Sequence, residues 1–363
     1  MTLNSFHTSG NSPGPDRCRV GILGFGTVGS AIARRLTGPD SIPSLQLSHI
    51  CDRRAREKQA RQPEAPHGSA APAWTDRFDD LLASDVDVVV EAIGGAEPAV
   101  DYVRAALLAG KSVVTSNRQV IAHHGPALLA LAERQGRQLR YEAAVGGAMP
   151  IVRALGDGLA GDRITRIVAI LNGTANAVLS RMDASGCTID EAIADACARG
   201  YAEADPSADL DGVDAGAKLA ILCALGFSLR VLPGQIELRT AARLDPGAFE
   251  EARLRGGTIR QIAHAEYLRD RSTLVAWVAP AFVPQTSIFA RATGPQNAAI
   301  ISGAYGGDIT LTGSGAGGEA TAVAAMGDLV VIARDRAAIV PAPVLVEPAE
   351  IRGLSDHKLA EAV

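Results

Sequence analysis

No stretch of the 363-residue chain comes near the roughly 18 consecutive apolar residues that a membrane span requires. Cysteine is scarce: Cys18, Cys51, Cys187, Cys197 and Cys223 are odd in number, widely scattered and form no CxxC pair. That excludes a disulfide frame and a zinc site, and fits free thiols in a reducing compartment, the cytoplasm. Aromatic residues are only 4% of the chain, so the core must be aliphatic. Neither sign of charge dominates. Thirty-five Lys and Arg stand against 40 Asp and Glu, and the net charge of −5 gives no electrostatic ground for a nucleic-acid or anionic-membrane partner. The opening residues, MTLNSFHTSGNSPGPDR, lack the basic, apolar, small-residue order of a secretory signal. Their Gly, Ser, Asn and Pro content predicts a frayed arm over 1–17.

What is present describes a globular protein. Apolar residues make up 47% and charged residues 21%, enough core to exclude global disorder or a coiled coil. At about 100–200 residues per domain, this length predicts two. Strand and helix signals alternate in the first half. RVGIL (19–23) runs into GFGTVG, and a helix follows that stops at Gly38-Pro39. LQLSHIC (45–51), DVDVVVEA (85–92) and SVVT (112–115) read as further strands, and 98–109 as a helix closed by Gly110. This βαβ alternation implies an α/β fold, a doubly wound parallel Rossmann-type sheet over 18–140.

From about 138 the texture changes. Strand-like runs (QLRYEAAV, ITRIVAIL, TLVAWVA, NAAIISG, DITLTG) mix with helices near 188–199 and 213–225. Thr188 and Glu191 form a capping box, and Gly200 and Gly226 stand where C-terminal glycines belong. We read 141–313 as a mixed α+β domain for substrate and dimerisation. A glycine-rich turn, GSGAGG, then leads into a helix near 319–334, so 314–345 returns to the dinucleotide-binding domain.

Gly24-Phe25-Gly26-Thr27-Val28-Gly29 follows a strand and opens a helix, the context that makes a GxGxxG pattern a dinucleotide fingerprint. Asp52 ends the next strand 23 residues after Gly29, where a ribose-binding acid belongs. Arg53 and Arg54 follow it. The carboxylate favours NAD and the arginines NADP, so the choice stays open. Ile93, Gly94, Gly95, Thr115 and Ser116 end later strands and should line the cofactor.

The densest polar group is GYAEADPSADLDGVDAGAK, residues 200–218. A solvated acidic loop is one reading. A calcium loop fails by register, because aligning Gly212 with the invariant glycine puts Ser207 first and Lys218 at the bidentate acid. A substrate pocket is the third. Asp214 and Lys218 lie four apart on one helix face, so the carboxylate can hold an ammonium that moves a proton at an alcohol or carbonyl oxygen. Carboxylates nearby would bind a substrate ammonium. Composition alone leaves the first and third readings open.

From about 19 to 335 the chain resembles the homoserine dehydrogenases. The family signature, ending D-P-x-x-D-L-x-G-x-D-x-x-x-K, runs without mismatch from Ala196 to Lys218, beside the blocks EAIGGAEPA, YEAAVGGAMPIV, LNGTANAVL and GSGAGGEATA. The resemblance implies hydride transfer between NAD or NADP and homoserine, giving aspartate 4-semialdehyde, within threonine and methionine biosynthesis. It also implies a homodimer. It makes Lys218 the proton donor or acceptor with Asp214 beside it, and assigns Glu203, Asp209, Asn172, Gly173 and Thr174 to the substrate. It places Gly315 and Glu319 by the cofactor, and Glu142, Val145, Gly147 and Met149 around a sodium ion. A capping carboxylate is the competing reading of Glu142.

Two positions depart from the family pattern. Arg118 stands where a catalytic lysine is usual, and Ala177 where an aromatic often follows NGT-x-N. Arg118 keeps the charge but is planar and effectively never deprotonated, which keeps a dehydrogenase for another amino-acid alcohol or semialdehyde in view. A non-catalytic NAD(P)-binding paralogue is the third reading, and the intact acid–lysine pair weighs against it. About 30 residues follow the last helix, too few for the regulatory ACT domain of many relatives, so threonine feedback through one is not expected.

Overall fold

The structure, a computed structural model, describes residues 17–61, 71–203, 205–354 and 360–361. The arm expected over 1–17 lies outside the described residues except for Arg17. Six parallel strands form the first sheet: β1 (Cys18–Leu23), β2 (Leu45–Cys51), β3 (Ala73–Thr75), β4 (Val88–Glu91), β5 (Ser112–Thr115) and β6 (Leu139–Arg140). Their spatial order is β3-β2-β1-β4-β5-β6. This is the doubly wound order, and its switch point lies between β1 and β4, where the fingerprint loop emerges. β4 and β5 are fully buried four-residue runs, as their β-branched composition predicts.

The second sheet is mixed. Its strands are β7 (Ile164–Ile170), β8 (Glu237–Leu238), β9 (Gly257–Leu268), β10 (Thr273–Pro284), β11 (Gln296–Gly303), β12 (Gly307–Ser314), β13 (Glu350–Arg352) and β14 (Ala360–Glu361). The main path is β12-β11-β7-β9-β10-β13. A helix over Val213–Phe227 covers one face, with Leu219, Leu222 and Cys223 fully buried in an aliphatic core. The last long helix, Gly318–Arg334, packs back on the fingerprint helix Thr27–Thr37. No helix is long and apolar enough to cross a membrane among the described residues.

Several sequence expectations need correction. Gly226 does not end its helix, which runs to Phe227 and closes on Ser228 at φ 57°. Gly226 is there for packing, since a Cβ would stand 3.0 Å from Ile167 Cδ1. Only Leu139–Arg140 of QLRYEAAV is strand, and the chain then turns through a 3-10 segment at Glu142–Ala144. TLVAWVA extends through Pro280 to Pro284. That proline is tolerated because it falls between the short stretches of β10 that pair with β8 and β14 on the side opposite β9.

Candidate active site

Two elements from different sheets bring the site together. After β5 the chain turns at Asn117, whose side chain accepts hydrogen bonds from Gln119 and Val120 N–H and so caps the helix Arg118–Arg134. Arg118 is thereby fixed at that helix's first position, on the carboxyl edge of the parallel sheet. From the second sheet, β7 leads into Asn172, which caps the helix Gly173–Ser185 by accepting from Ala175 N–H at 2.7 Å. Gly212, at φ 80°, opens the helix that carries Asp214 and Lys218.

Asp214 is the hub. Its side chain is 5% exposed. Oδ2 accepts from Lys218 Nζ at 2.6 Å and from Asn172 Nδ2 at 2.8 Å, while Oδ1 pairs with Arg118 Nε. Burial alone would raise this carboxyl, but Lys218, Arg118 and Asn172 together hold it below the usual carboxylate range. The other amide hydrogen of Asn172 goes to Asp209 Oδ1 at 2.7 Å. Burial and the charge of Asp214 raise the Asp209 carboxyl, against the Asn172 bond. Among the described residues nothing donates to Asp209 Oδ2, which leaves an acceptor for a ligand cation.

Lys218 Nζ also donates to the Leu171 carbonyl at 2.8 Å. An ammonium has three N–H groups, so two fixed acceptors leave one direction for a ligand oxygen. The side chain is 13% exposed, enough to be reached and too little to be solvated freely.

Contacts connect this cluster to the fingerprint. A Cβ on Gly173 would stand 2.9 Å from Ala316 Cβ, and one on Gly318 would stand 2.6 Å from the Thr27 carbonyl. The turn 313–318 therefore bridges the Asn172 cap and the fingerprint loop. In that loop a Cβ on Gly29 would meet the Gly24 carbonyl at 1.9 Å, whereas one on Gly26 would meet nothing within 4 Å. Gly26 is exposed, so its backbone opens on space at the helix N-terminus, which fits a pyrophosphate. Gly24 takes φ 95°, and a Cβ there would stand 2.7 Å from the Ala92 carbonyl at the end of β4. Beside it, buried Glu91 accepts from Ile93 N–H at 2.9 Å and from Thr115 Oγ1. Asn117 Nδ2 donates to the Gly95 carbonyl, so the 93–95 turn is tied to the start of the Arg118 helix.

Other sequence-derived positions lie differently. Glu203 is exposed, and its contact is a backbone carbonyl accepting from Cys197 Sγ at 3.1 Å. Thr174 Oγ1 ties the same loop to the Gly173–Ser185 helix through the Tyr201 carbonyl, at 2.7 Å. Glu319 is engaged by Arg34 and Arg35 of the fingerprint helix, at 2.8 and 3.1 Å. Glu142 accepts from Val152 and Arg153 N–H at 3.0 and 2.9 Å, a capping role, and burial beside Asp328 pushes its carboxyl up to about 7. Sequence reasoning missed the Leu171 carbonyl, the Lys58 contact to Asp52 and Gln261, whose amide holds the Asp209 and Leu210 carbonyls at 3.0 and 3.1 Å.

Comparison with known proteins decides the family. A profile described as homoserine dehydrogenase matches residues 150–330, and one described as its NAD-binding domain matches 24–142. The chain belongs to the homoserine dehydrogenase family. It is thus an oxidoreductase acting on a CH–OH group, with an NAD-binding domain. A homoserine dehydrogenase of Mycobacterium leprae is 38% identical over 87% of this chain and 72% of its own length. One from Corynebacterium glutamicum is 36% identical over 90% and 74%. Among solved structures, the homoserine dehydrogenase of Thiobacillus denitrificans superposes with a TM-score of 0.84 at 31% identity, covering 93% of this chain and 80% of that one. A hyperthermophilic archaeal homoserine dehydrogenase in complex with NADPH gives 0.72 at 27% identity, covering 90% and 99%.

Proposed function

We propose that this protein interconverts L-homoserine and L-aspartate 4-semialdehyde, with Lys218 moving the proton at the substrate oxygen. The observation that carries this is the third N–H direction of Lys218, left open by Asp214 and the Leu171 carbonyl. When bound, NAD(P) supplies the hydride acceptor or donor. The chain's own groups do the rest. In the reducing direction the Lys218 ammonium donates a proton to the aldehyde oxygen and becomes the amine, and in the oxidising direction that neutral amine accepts the hydroxyl proton. Asp214 orients it, and Asp209, held by Asn172, receives the substrate ammonium. Glu203, exposed on the neighbouring loop, is a further candidate for the substrate ammonium.

Arg118 pairs with Asp214 through Nε, and its side chain is 40% exposed. A lysine Nζ would sit one atom further along the chain than Nε and can still reach the carboxylate, so the pair survives substitution. Arg118→Lys should therefore keep kcat within about fivefold and move KM for homoserine instead. The deciding experiment is a steady-state screen of homoserine against analogous amino-acid alcohols with either cofactor. A clear preference for another alcohol would overturn the substrate assignment. Repeating the screen with choline in place of sodium tests a cation at the loop of Glu142, Val145, Gly147 and Met149. Among the described residues the buried Val145 and Gly147 carbonyls accept no hydrogen bond, which supports such a site. Glu142 would join through its backbone.

A homodimer is supported by β12, an eight-residue edge strand with a largely exposed face, flanked by Tyr305 at 77% exposure. Sedimentation should give about twice the 37.5 kDa chain mass, and a 37.5 kDa particle at working concentration would contradict it. Among the described residues Cys51, Cys187, Cys197 and Cys223 form no disulfide, which supports a cytoplasmic setting.

A further inference from the structure

The acid that ends β2 is already engaged. Asp52 Oδ2 accepts from Phe25 N–H at 2.8 Å and from Lys58 Nζ at 2.6 Å, and Oδ1 accepts from Arg54 N–H at 2.9 Å. Lys58 Nζ donates in addition to the Phe25 carbonyl at 2.8 Å. Both side chains are largely buried, 18% exposed for Lys58 and 11% for Asp52. The pair therefore closes the fingerprint loop onto the end of β2 and cancels the charge of the carboxylate at close range.

In an NAD site of this fold a free carboxylate here accepts the ribose hydroxyls, and its charge repels a 2′-phosphate. Asp52 has three donors on its two oxygens and a largely buried ammonium at 2.6 Å, so most of its accepting capacity is used and its charge is balanced. Arg53 and Arg54 follow it, both exposed, and residues 52–58 carry two more positive charges than negative ones. We propose that Lys58 is a specificity-determining residue: by neutralising Asp52 and binding it to the Phe25 turn, it sets this corner for a dinucleotide bearing a 2′-phosphate, received by the Arg53 guanidinium. This rests on the dehydrogenase reading and narrows its cofactor class to NADP. Arginine suits the task because its planar fork matches phosphate oxygens.

Calorimetric titration of the full-length protein with adenosine 2′,5′-bisphosphate and with adenosine 5′-phosphate reads the corner directly. The wild type should bind the bisphosphate at least about tenfold more tightly. Lys58→Met should bring that preference below about threefold, because Asp52 is then an uncompensated anion, with circular dichroism and the thermal unfolding midpoint reporting an intact fold. Asp52→Asn, which keeps the Lys58 charge, should preserve or increase the preference. Equal wild-type affinities, or an unchanged preference in Lys58→Met, would overturn the assignment. If homoserine is oxidised equally well with NAD and NADP, this inference alone fails. If neither nucleotide binds and homoserine is not oxidised, the dehydrogenase reading fails with it.

Discussion

Replacing Lys218 by alanine should remove most turnover, about 10²–10⁴-fold in kcat, while NAD(P)H binding stays within about twofold of wild type. The separation follows from the placement of the side chain. Lys218 lies on the helix Val213–Phe227, and its contacts are Asp214 and the Leu171 carbonyl. Neither contact comes from the fingerprint loop, so removing an ammonium at 218 should leave the nucleotide cradle in place. Stopped-flow hydride transfer together with fluorescence titration of the reduced cofactor measures both quantities. A variant as fast as wild type would remove Lys218 from the chemistry, and one that lost cofactor binding equally would make it a structural residue.

Asp214→Asn is the second large perturbation. It takes the counter-charge from two cations at once, Lys218 and Arg118, at a position only 5% exposed. Breaking a buried pair by removing one partner typically destabilises by about 3–5 kcal/mol, and an ammonium without its orienting carboxylate should lower kcat by about 10²-fold. The sign with pH is fixed. The folded Asp214 carboxyl titrates below its unfolded value, so its contribution is fully present above the ordinary carboxylate range near 4 and is lost as pH falls through the lower folded value. The stability gap between wild type and variant should thus be constant from about pH 6 to 8 and shrink on acidification. Urea unfolding at neutral and acid pH measures it. A gap that widened toward low pH would mean that Asp214 is not held ionised by its neighbours.

How much of this was legible in the sequence differs between elements. The fingerprint glycines carry their geometry in their identity: no other residue fits at Gly24, with φ 95°, or at Gly29, with a carbonyl 1.9 Å from where a Cβ would lie. The spacing of Asp214 and Lys218 on one helix is likewise visible. β9 was not, because Arg260 and Gln261 interrupt its apolar pattern. Both are buried, at 1% and 3%, and are held by Asp183 and by carbonyls that the tertiary fold supplies, which engage the terminal nitrogens of Arg260 and leave its Nε without an acceptor among the described residues. The helix Gly173–Ser185 was hidden for the opposite reason. From Ala175 to Ser180 it is buried all round, so no polar stripe marks a 3.6-residue period there. The helix Arg118–Arg134 carries Pro126 in its interior, which reads as a break.

At the site, residue types were readable and pairings were not. Arg118 reads as a departure from a lysine pattern, but its contact with Asp214 joins two sheets and no spacing announces it. The Asp52–Lys58 pair had a weak signal: a lysine six residues on, one turn into the next helix, after an acid expected to be free. Backbone groups such as the Leu171 carbonyl carry no signal in side-chain identity at all.

The most direct measurement is a crystal structure of the protein with homoserine and oxidised cofactor bound together. The homoserine hydroxyl should lie about 2.6–3.2 Å from Lys218 Nζ, in the direction that Asp214 and the Leu171 carbonyl leave open, with the substrate ammonium on Asp209. A hydroxyl held elsewhere, with Lys218 still engaged only by Asp214 and Leu171, would contradict its role in moving the proton.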